Sequence, residues 1–391
     1  MPGQGMELVM RRMNRGSPRS SRGIEELVQL ALGLGRAGCQ QEDLFYQNRL
    51  RPLIQRLLID RREETLGEAL DRVYGQHPRS FESLSDLIEA QAMGGESGLL
   101  IALPVMAWSR YDIPVTSLSA AQCQQFHELL TTHVLAPGVA IAVADFLFGP
   151  DQLPAGFCGA FELASRLQQR LTHGQTVLAV DPLGLPATTR FLADPRYLLA
   201  LIRAQPGEAL FRWHQPSVTR EDAALAWQEA AHPALTALLP SCAVEPLLPD
   251  AYFPALRRTD EQGRAFTLRA CVEQLRSQHG LASTQIQAVI APCYDGNLVE
   301  YRIGLLRQGH PEVLQGAVWG LLDGEEETTD VLGQIQDELQ RAGVTAIEII
   351  TERLPLSYCD DCGAPLFPAM DGELTHTVMP DDLQPASTRL H

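Results

Sequence analysis

Two cysteines near the C-terminal end of the chain, Cys359 and Cys362, have the spacing of a metal-binding or redox-active thiol pair. The glycine that follows them, Gly363, allows a tight turn in which backbone N–H groups point at the sulfur atoms. Two thiolates are half of the tetrahedral ligand set that structural zinc requires. The sequence therefore predicts a cysteine turn that is a candidate zinc site and still lacks two ligands.

The remaining ligands have to come from elsewhere, because the chain has no second Cys-x-x-Cys pair. His376 lies 14 positions after Cys362, and Cys293 stands at the end of a predicted strand. The candidate metal ligands are thus Cys359, Cys362, His376 and Cys293, with zinc as the metal. A metal-free structural turn and redox use of the thiols are the alternatives. Redox use is the weakest, because Pro365 prevents the helix whose N-terminus would activate a thiol.

Lysine is absent, since all 31 basic residues are arginine. Schiff-base chemistry, attachment of pyridoxal phosphate and phosphate binding by a P-loop all depend on a lysine side chain. We therefore predict that the protein uses neither pyridoxal phosphate nor a P-loop nucleotide.

The formal net charge of −17 makes phosphate backbones and anionic lipid unfavourable partners. No apolar run reaches the ~18 residues that a membrane span needs. The eight cysteines are scattered apart from the one pair, which is typical of buried free thiols in a reducing compartment. These features predict a cytoplasmic protein with no nucleic-acid or membrane partner.

The elements that must position the cysteine turn follow from the hydrophobic pattern. Residues 1–22 form a basic arm that we expect to be disordered, and residues 23–95 have the 3.6-residue apolar periodicity of four short helices. Residues 96–258 and 259–370 each read as alternating helices and strands, and residues 371–391 as a loose tail. The predicted fold class is α/β (α+β): a helical N-terminal region followed by two similar mixed-sheet halves, which suggests a duplication. Within the first half, residues 197–202 and 209–213 are expected to pair as a hairpin.

Four other motifs have ordinary structural explanations. The glycines of residues 33–38 are expected to end a helix, since no strand precedes them. His127 and His133 are six positions apart on a helix and cannot share one ion. The acidic run 323–330 is expected to be solvated and to complement the dipole of the helix after it. The aromatic segment 252–258 is predicted to be a loop packed on its own core, with a partner-binding loop as the alternative.

Three segments resemble a bacterial family catalogued only as a domain of unknown function: 25–28, 42–46 and 358–368, the last containing the cysteine turn. The resemblance extends over about residues 22–380. It implies no activity, substrate or site residue.

The leading functional prediction is a non-enzymatic, structural or interaction role, with a cysteine turn stabilised by zinc. The alternative is an enzyme that uses a metal or carboxylates in a cleft between the two halves. A protein partner, or self-association through the N-terminal helices, is compatible with the first role.

Overall fold

The computed structural model describes residues 18–109, 113–187, 193–240, 242–322, 324–360 and 363–377. The chain divides into two compact units, the first ending at Thr259 and the second beginning at Asp260.

The first unit begins with four helices, as the apolar periodicity predicts. In α3 the side chains of Leu66, Ala69, Leu70 and Val73 recur at helical spacing and are all buried. The helices pack through such faces into one hydrophobic cluster. Their bounds are α1 Pro18–Gly35, α2 Gln40–Ile59, α3 Glu63–Tyr74 and α4 Pro78–Ala92.

A mixed sheet follows the four helices in the same unit. Its strand order is β5-β3-β6-β1-β7, with β8 also paired to β1. The pairs β1·β6, β3·β6 and β1·β7 are antiparallel, whereas β3·β5 is parallel. The elements are β1 Leu99–Trp108, β2 Thr116–Ser117, α5 Ala120–His133, β3 Ala140–Ala144, β4 Phe146–Leu147, α6 Gly156–Thr172, β5 Val177–Leu178, β6 Ala193–Arg203, α7 Arg220–Leu238, β7 Ala243–Pro246 and β8 Asp250–Ala251.

Strand β1 is apolar at every position because both of its faces are covered. Leu100 and Ala102 belong to the cluster that contains the four N-terminal helices and α6. Ile101, Leu103 and Val105 alternate with them and belong to the cluster that contains α5 and α7. The continuous apolar run 99–105 therefore marks a strand buried on two sides.

The second unit is built on a four-stranded path, β11-β10-β9-β12. The strands β9, β10 and β11 form consecutive antiparallel pairs, while β12 and β13 run parallel to β9. Helices α8 and α9 contribute to the main apolar cluster of this unit. The elements are α8 Tyr252–His279, which contains the boundary between the units, β9 Ile286–Asp295, β10 Asn297–Arg307, β11 Val313–Gly320, α9 Val331–Arg341, β12 Ala346–Ile349, β13 Leu354–Pro355, β14 Phe367–Pro368 and β15 Leu374–Thr375.

The structure confirms the α+β class with a helical N-terminal region, and it corrects three details. Residues 209–213 are not a hairpin strand: Phe211 makes a single bridge to Leu135, and a short 3-10 helix follows. The segment 252–258 is the start of α8 rather than a loop. The predicted similarity of the halves does not extend to the connectivity of their sheets, since β12 is parallel to its neighbour and β7 is antiparallel.

Among the described residues no helix combines the length and the apolar character that a membrane crossing requires. Residues 18–22 of the predicted disordered arm begin α1, and residues 374–375 of the predicted loose tail form β15. The rest of the arm, and the tail after residue 377, lie outside the described residues.

Candidate functional site

The predicted cysteine turn is closed by backbone hydrogen bonds. The N–H of Gly363 donates to the carbonyl oxygen of Cys359 at 2.8 Å, and the N–H of Cys359 donates to that of Ala364 at 2.8 Å. Gly363 has φ +70°, a left-handed conformation that glycine adopts without strain. Gly363 therefore allows the tight turn that the sequence predicts. Cys362, the second thiol of the pair, lies outside the described residues.

The other proposed ligands lie in different environments. Cys293 is fully buried on β9, and burial raises the pKa of its thiol to about 11. Nδ1 of His376 is 2.8 Å from the carbonyl oxygen of Thr377. In the part of the chain that the structure describes, no three histidine, cysteine or acidic side chains are grouped as metal ligands would be. Because Cys362 is not described, zinc at this turn stays a prediction.

A buried arginine anchors both arms of the turn. Arg302 on β10 is 0% exposed, and its Nε donates to Oε1 of Glu300 at 2.7 Å. Its Nη1 donates to the carbonyl oxygens of Ser357 and of Leu366, the latter at 2.8 Å. The guanidinium carbon lies 4.9 Å from the ring centre of Tyr358. Charge-assisted hydrogen bonds thus tie the turn to the sheet.

The second unit also contains an open, polar pocket with a cavity volume of about 590 Å³. Its walls come from α8, the end of β11, the loop after β11, and α9. Carboxylates and arginines dominate these walls, and the indole of Trp319 is the one aromatic group among them. The charged residues are Glu261, Arg264, Glu325, Asp337, Glu338 and Arg341.

An arginine on α8 holds one wall of the pocket in place. The Nη1 and Nη2 atoms of Arg264 donate to the two carboxylate oxygens of Glu325 at 2.6 and 3.1 Å. Nη1 also donates to the carbonyl oxygen of Gly320 at 3.1 Å. The guanidinium carbon lies 5.0 Å from the ring centre of Trp319. The wall is therefore a rigid, internally neutralised pair stacked on an aromatic ring.

The electrostatics of Glu325 keep this pair ionised. Burial of the carboxylate acts to raise its pKa, but hydrogen bonds from Arg264 and from the N–H of Leu322 oppose it. The positive charge of Arg264 acts in the same direction, and the net result is a pKa below the ordinary range for glutamate. Glu325 is therefore suited to holding Arg264 rather than to accepting a proton from a substrate.

A buried glutamate on α9 also lines the pocket. Glu338 is 9% exposed, and one of its carboxylate oxygens accepts a hydrogen bond from Nη1 of Arg341. The other oxygen, Oε2, is 3.7 Å from Nη1 of Arg269, too far for a hydrogen bond. Arg341 also lies 4.0 Å from Asp337, at the rim of the pocket.

Three buried polar atoms of the pocket walls lack a hydrogen-bond partner. They are Nε of Arg264, Nε1 of Trp319 and Oε2 of Glu338, and they account for three of the nine such side-chain atoms in the described part of the chain. More than about nine in ten buried polar groups are normally hydrogen-bonded. Two donors and one acceptor on residues that line one cavity thus have no hydrogen-bond partner among the described residues.

The sequence gives only part of this site. The acidic run 323–330 is predicted to complement a helix dipole, and Asp330 does accept a hydrogen bond from the N–H of Gly333 at the start of α9. Glu325, however, pairs with Arg264, which is 61 positions away, and no local sequence pattern predicts that contact. Only the spacing of Glu338 and Arg341, three apart on a predicted helix, is visible in the sequence.

A comparison with protein-family models matches residues 12–390 to the family described as "Protein of unknown function (DUF2863)". Searches of curated proteins and of solved structures gave no match. The match covers nearly the whole chain and confirms the predicted resemblance to a domain of unknown function. The chain therefore belongs to the DUF2863 family.

Proposed function

We propose that the second unit binds a small polar molecule in the pocket between α8, β11 and α9. The observation that carries this proposal is the set of unpaired buried atoms on Arg264, Trp319 and Glu338. A buried donor or acceptor without a partner costs about 1–3 kcal/mol. Such a cost at one cavity is best explained by a function, because stability alone would select against it.

The geometry is compatible with a ligand of modest size. A cavity of about 590 Å³ falls within the range of roughly 300–1,000 Å³ that is usual for small-molecule sites. The unpaired atoms are themselves buried, so a ligand that pairs with them requires a rearrangement of the side chains that cover them. The Arg264–Glu325 pair supplies a fixed wall against which such a ligand is oriented.

The proposal is tested with the full chain and a panel of small amines, carboxylates, sugars and nucleosides in a thermal-shift assay. We expect at least one compound class to raise the melting temperature of the wild type and not that of Glu338→Gln. Glu273→Gln is the matched control, because Glu273 forms an exposed ion pair with Arg276 on α8, outside the pocket. If every stabilising compound acts equally on both variants, the pocket is not the binding site.

A second candidate function, the architectural role, rests on the cysteine turn. The closed turn between Cys359 and Gly363 supports the proposal that Cys359 and Cys362 supply thiolates to zinc. Metal analysis of the purified wild type and of Cys359→Ser tests it. About one zinc per chain, lost in the variant, is expected; a metal-free wild type contradicts the proposal.

We further propose a cytoplasmic location. Among the described residues, six cysteines are thiols outside any disulfide, which supports a reducing environment: Cys39, Cys123, Cys158, Cys271, Cys293 and Cys359. The predicted protein partner and self-association, and the predicted lack of nucleic-acid and membrane partners, stay predictions.

A further inference from the structure

The charges of the pocket do not balance. Arg264 and Glu325 neutralise each other through two hydrogen bonds. The remaining lining charges are the carboxylates of Glu261, Asp337 and Glu338 and the single guanidinium of Arg341. Arg269 lies 3.7 Å from Oε2 of Glu338, so three carboxylates are set against two guanidinium groups, and the remaining negative charge favours a cation.

One of these carboxylates is buried and has one oxygen without a hydrogen bond. Glu338 is more than nine-tenths buried, and its Oε2 accepts no hydrogen bond from any residue that the structure describes. A buried carboxylate oxygen requires a donor far more strongly than an exposed one does, because water does not compensate for a missing partner. Its partner in the protein is the ion pair with Arg269 at 3.7 Å, so Oε2 can still accept a hydrogen bond from an N–H or O–H group of a ligand.

The pocket already holds a guanidinium, that of Arg341. This guanidinium is hydrogen-bonded to Glu338 and lies 4.0 Å from Asp337, and its side chain is 66% exposed. An ion pair so exposed to solvent contributes about 0–1 kcal/mol. A ligand cation that is better enclosed can replace it at Glu338.

We propose that the ligand is a small organic cation, an amine or a guanidinium, and that Arg341 competes with it for Glu338. This inference rests on the proposed binding function and specifies its ligand. The unpaired N–H groups of Arg264 and Trp319 belong to residues that line the same cavity, so we expect the ligand also to carry an uncharged acceptor such as a carbonyl or hydroxyl oxygen. An anion would meet three carboxylates, while Arg264 is already committed to Glu325.

L-argininamide, which combines two cationic groups with an amide carbonyl, is the probe for this inference, and glutarate is the anionic comparison. Both are titrated calorimetrically into the full chain at equal ionic strength. We expect argininamide to bind and glutarate not to bind. Glu338→Gln should weaken argininamide binding at least tenfold, because it removes the charge that the ligand pairs with. Arg341→Ala should strengthen binding several-fold, because it removes the competitor.

Matched variants exclude a general effect of charge. Glu273→Gln and Arg276→Ala change the same charges at an exposed pair on α8, and they should leave argininamide affinity within twofold of the wild type. If Glu338→Gln fails to fold, Asp337→Asn at the exposed rim replaces it, with an expected loss of a few-fold.

The outcomes separate this inference from the proposed function. Binding of glutarate that is lost in Arg341→Ala supports a ligand site but overturns the cationic ligand. Weaker argininamide binding in Arg341→Ala overturns competition by Arg341. If neither probe binds, the cationic ligand is overturned, and the thermal-shift panel then decides the proposed function by itself.

Discussion

Glu300 and Arg302 stand two positions apart on β10, so their side chains leave the same face of the strand. Asp194 and Arg196 repeat this arrangement on β6, with Arg196 2% exposed. Arg196 donates to Asp194 at 2.7 Å and to the carbonyl oxygen of Pro114 at 3.1 Å. In both units, a buried acid–arginine pair fastens a loop to a strand.

Replacement of Arg302 by methionine should strongly destabilise the second unit. The change leaves Glu300 without its partner and frees the arms of the cysteine turn, and we expect a loss of about 3–5 kcal/mol in the free energy of unfolding. Denaturant titration measures it. Arg276→Met, at an exposed pair, should change stability by less than about 0.5 kcal/mol. A loss below about 1 kcal/mol for Arg302→Met would contradict the anchoring role.

Asp194 should make the stability of the first unit depend on pH. Burial raises the pKa of its carboxyl to about 6, although the charge of Arg196 and its hydrogen bond oppose the rise. Between about pH 4 and pH 6 the folded state then binds more protons than the unfolded state, so stability falls as pH increases. This contribution is fully present below about pH 4 and is lost as pH rises through about 6.

The comparison of wild type with Asp194→Asn isolates this contribution. Denaturation from pH 4 to 7.5 should show a fall of up to about 3 kcal/mol in the wild type relative to the variant. Glu208→Gln, at an exposed position, should follow the wild type. Parallel curves for wild type and Asp194→Asn would show that the carboxyl titrates normally.

At the scale of elements, a side chain of α3 completes the start of α6. The carboxylate of Glu63 accepts the N–H groups of Phe157 and Cys158 at 2.9 and 2.8 Å. Gly156, at φ +64°, lets the chain turn into the helix at this point. Free N–H groups at a helix start favour such an anionic partner.

Glu63→Ala should therefore loosen the first turn of α6. We expect a loss of about 1–2 kcal/mol and faster hydrogen exchange at the amides of Phe157 and Cys158. Glu64→Ala removes an exposed charge from the same turn of α3 and should leave both amides unchanged. Equal hydrogen-exchange rates at these two amides in both variants would contradict the capping role of Glu63.

Most elements are predictable because their apolar residues have a regular period, and the two segments with wrongly predicted secondary structure have physical explanations. The predicted loop 252–258 is instead the start of α8, and Pro254 fits in its first turn because its missing N–H costs no hydrogen bond there. Residues 209–213 have the composition of a strand, yet Phe211 stacks on Trp213 with ring centres 4.4 Å apart. Phe211 makes only a single bridge, to Leu135, and residues 212–214 form a 3-10 helix, so the tertiary context overrides the strand propensity.

At the scale of the whole molecule, features formed by neighbours in the sequence could be predicted, whereas features formed by long-range contacts could not. The cysteine turn could be predicted because its residues are neighbours in the sequence. The pocket could not, because α8, β11, the loop and α9 contribute separate residues whose proximity depends on the tertiary fold. The family assignment adds no activity, so the chemistry of the pocket rests on its side chains.

Two compact units should give two unfolding transitions in scanning calorimetry. Arg302→Met lies in the second unit and should lower only one transition, while Glu63→Ala lies in the first and should lower only the other. A single two-state transition that both variants lower together would show that the units unfold cooperatively.

The most direct test of ligand binding in the pocket is the indole N–H signal of Trp319, which has no hydrogen-bond partner among the described residues. Four tryptophans give four indole signals in the ¹⁵N-tryptophan spectrum of the full chain, and Trp319→Phe assigns the one of interest. On addition of L-argininamide, or of a compound that stabilises the chain in the thermal-shift panel, we expect the Trp319 signal to move, as an N–H that gains an acceptor does. The other three should stay in place. A bound compound that leaves the Trp319 signal unmoved would contradict ligand binding at this site.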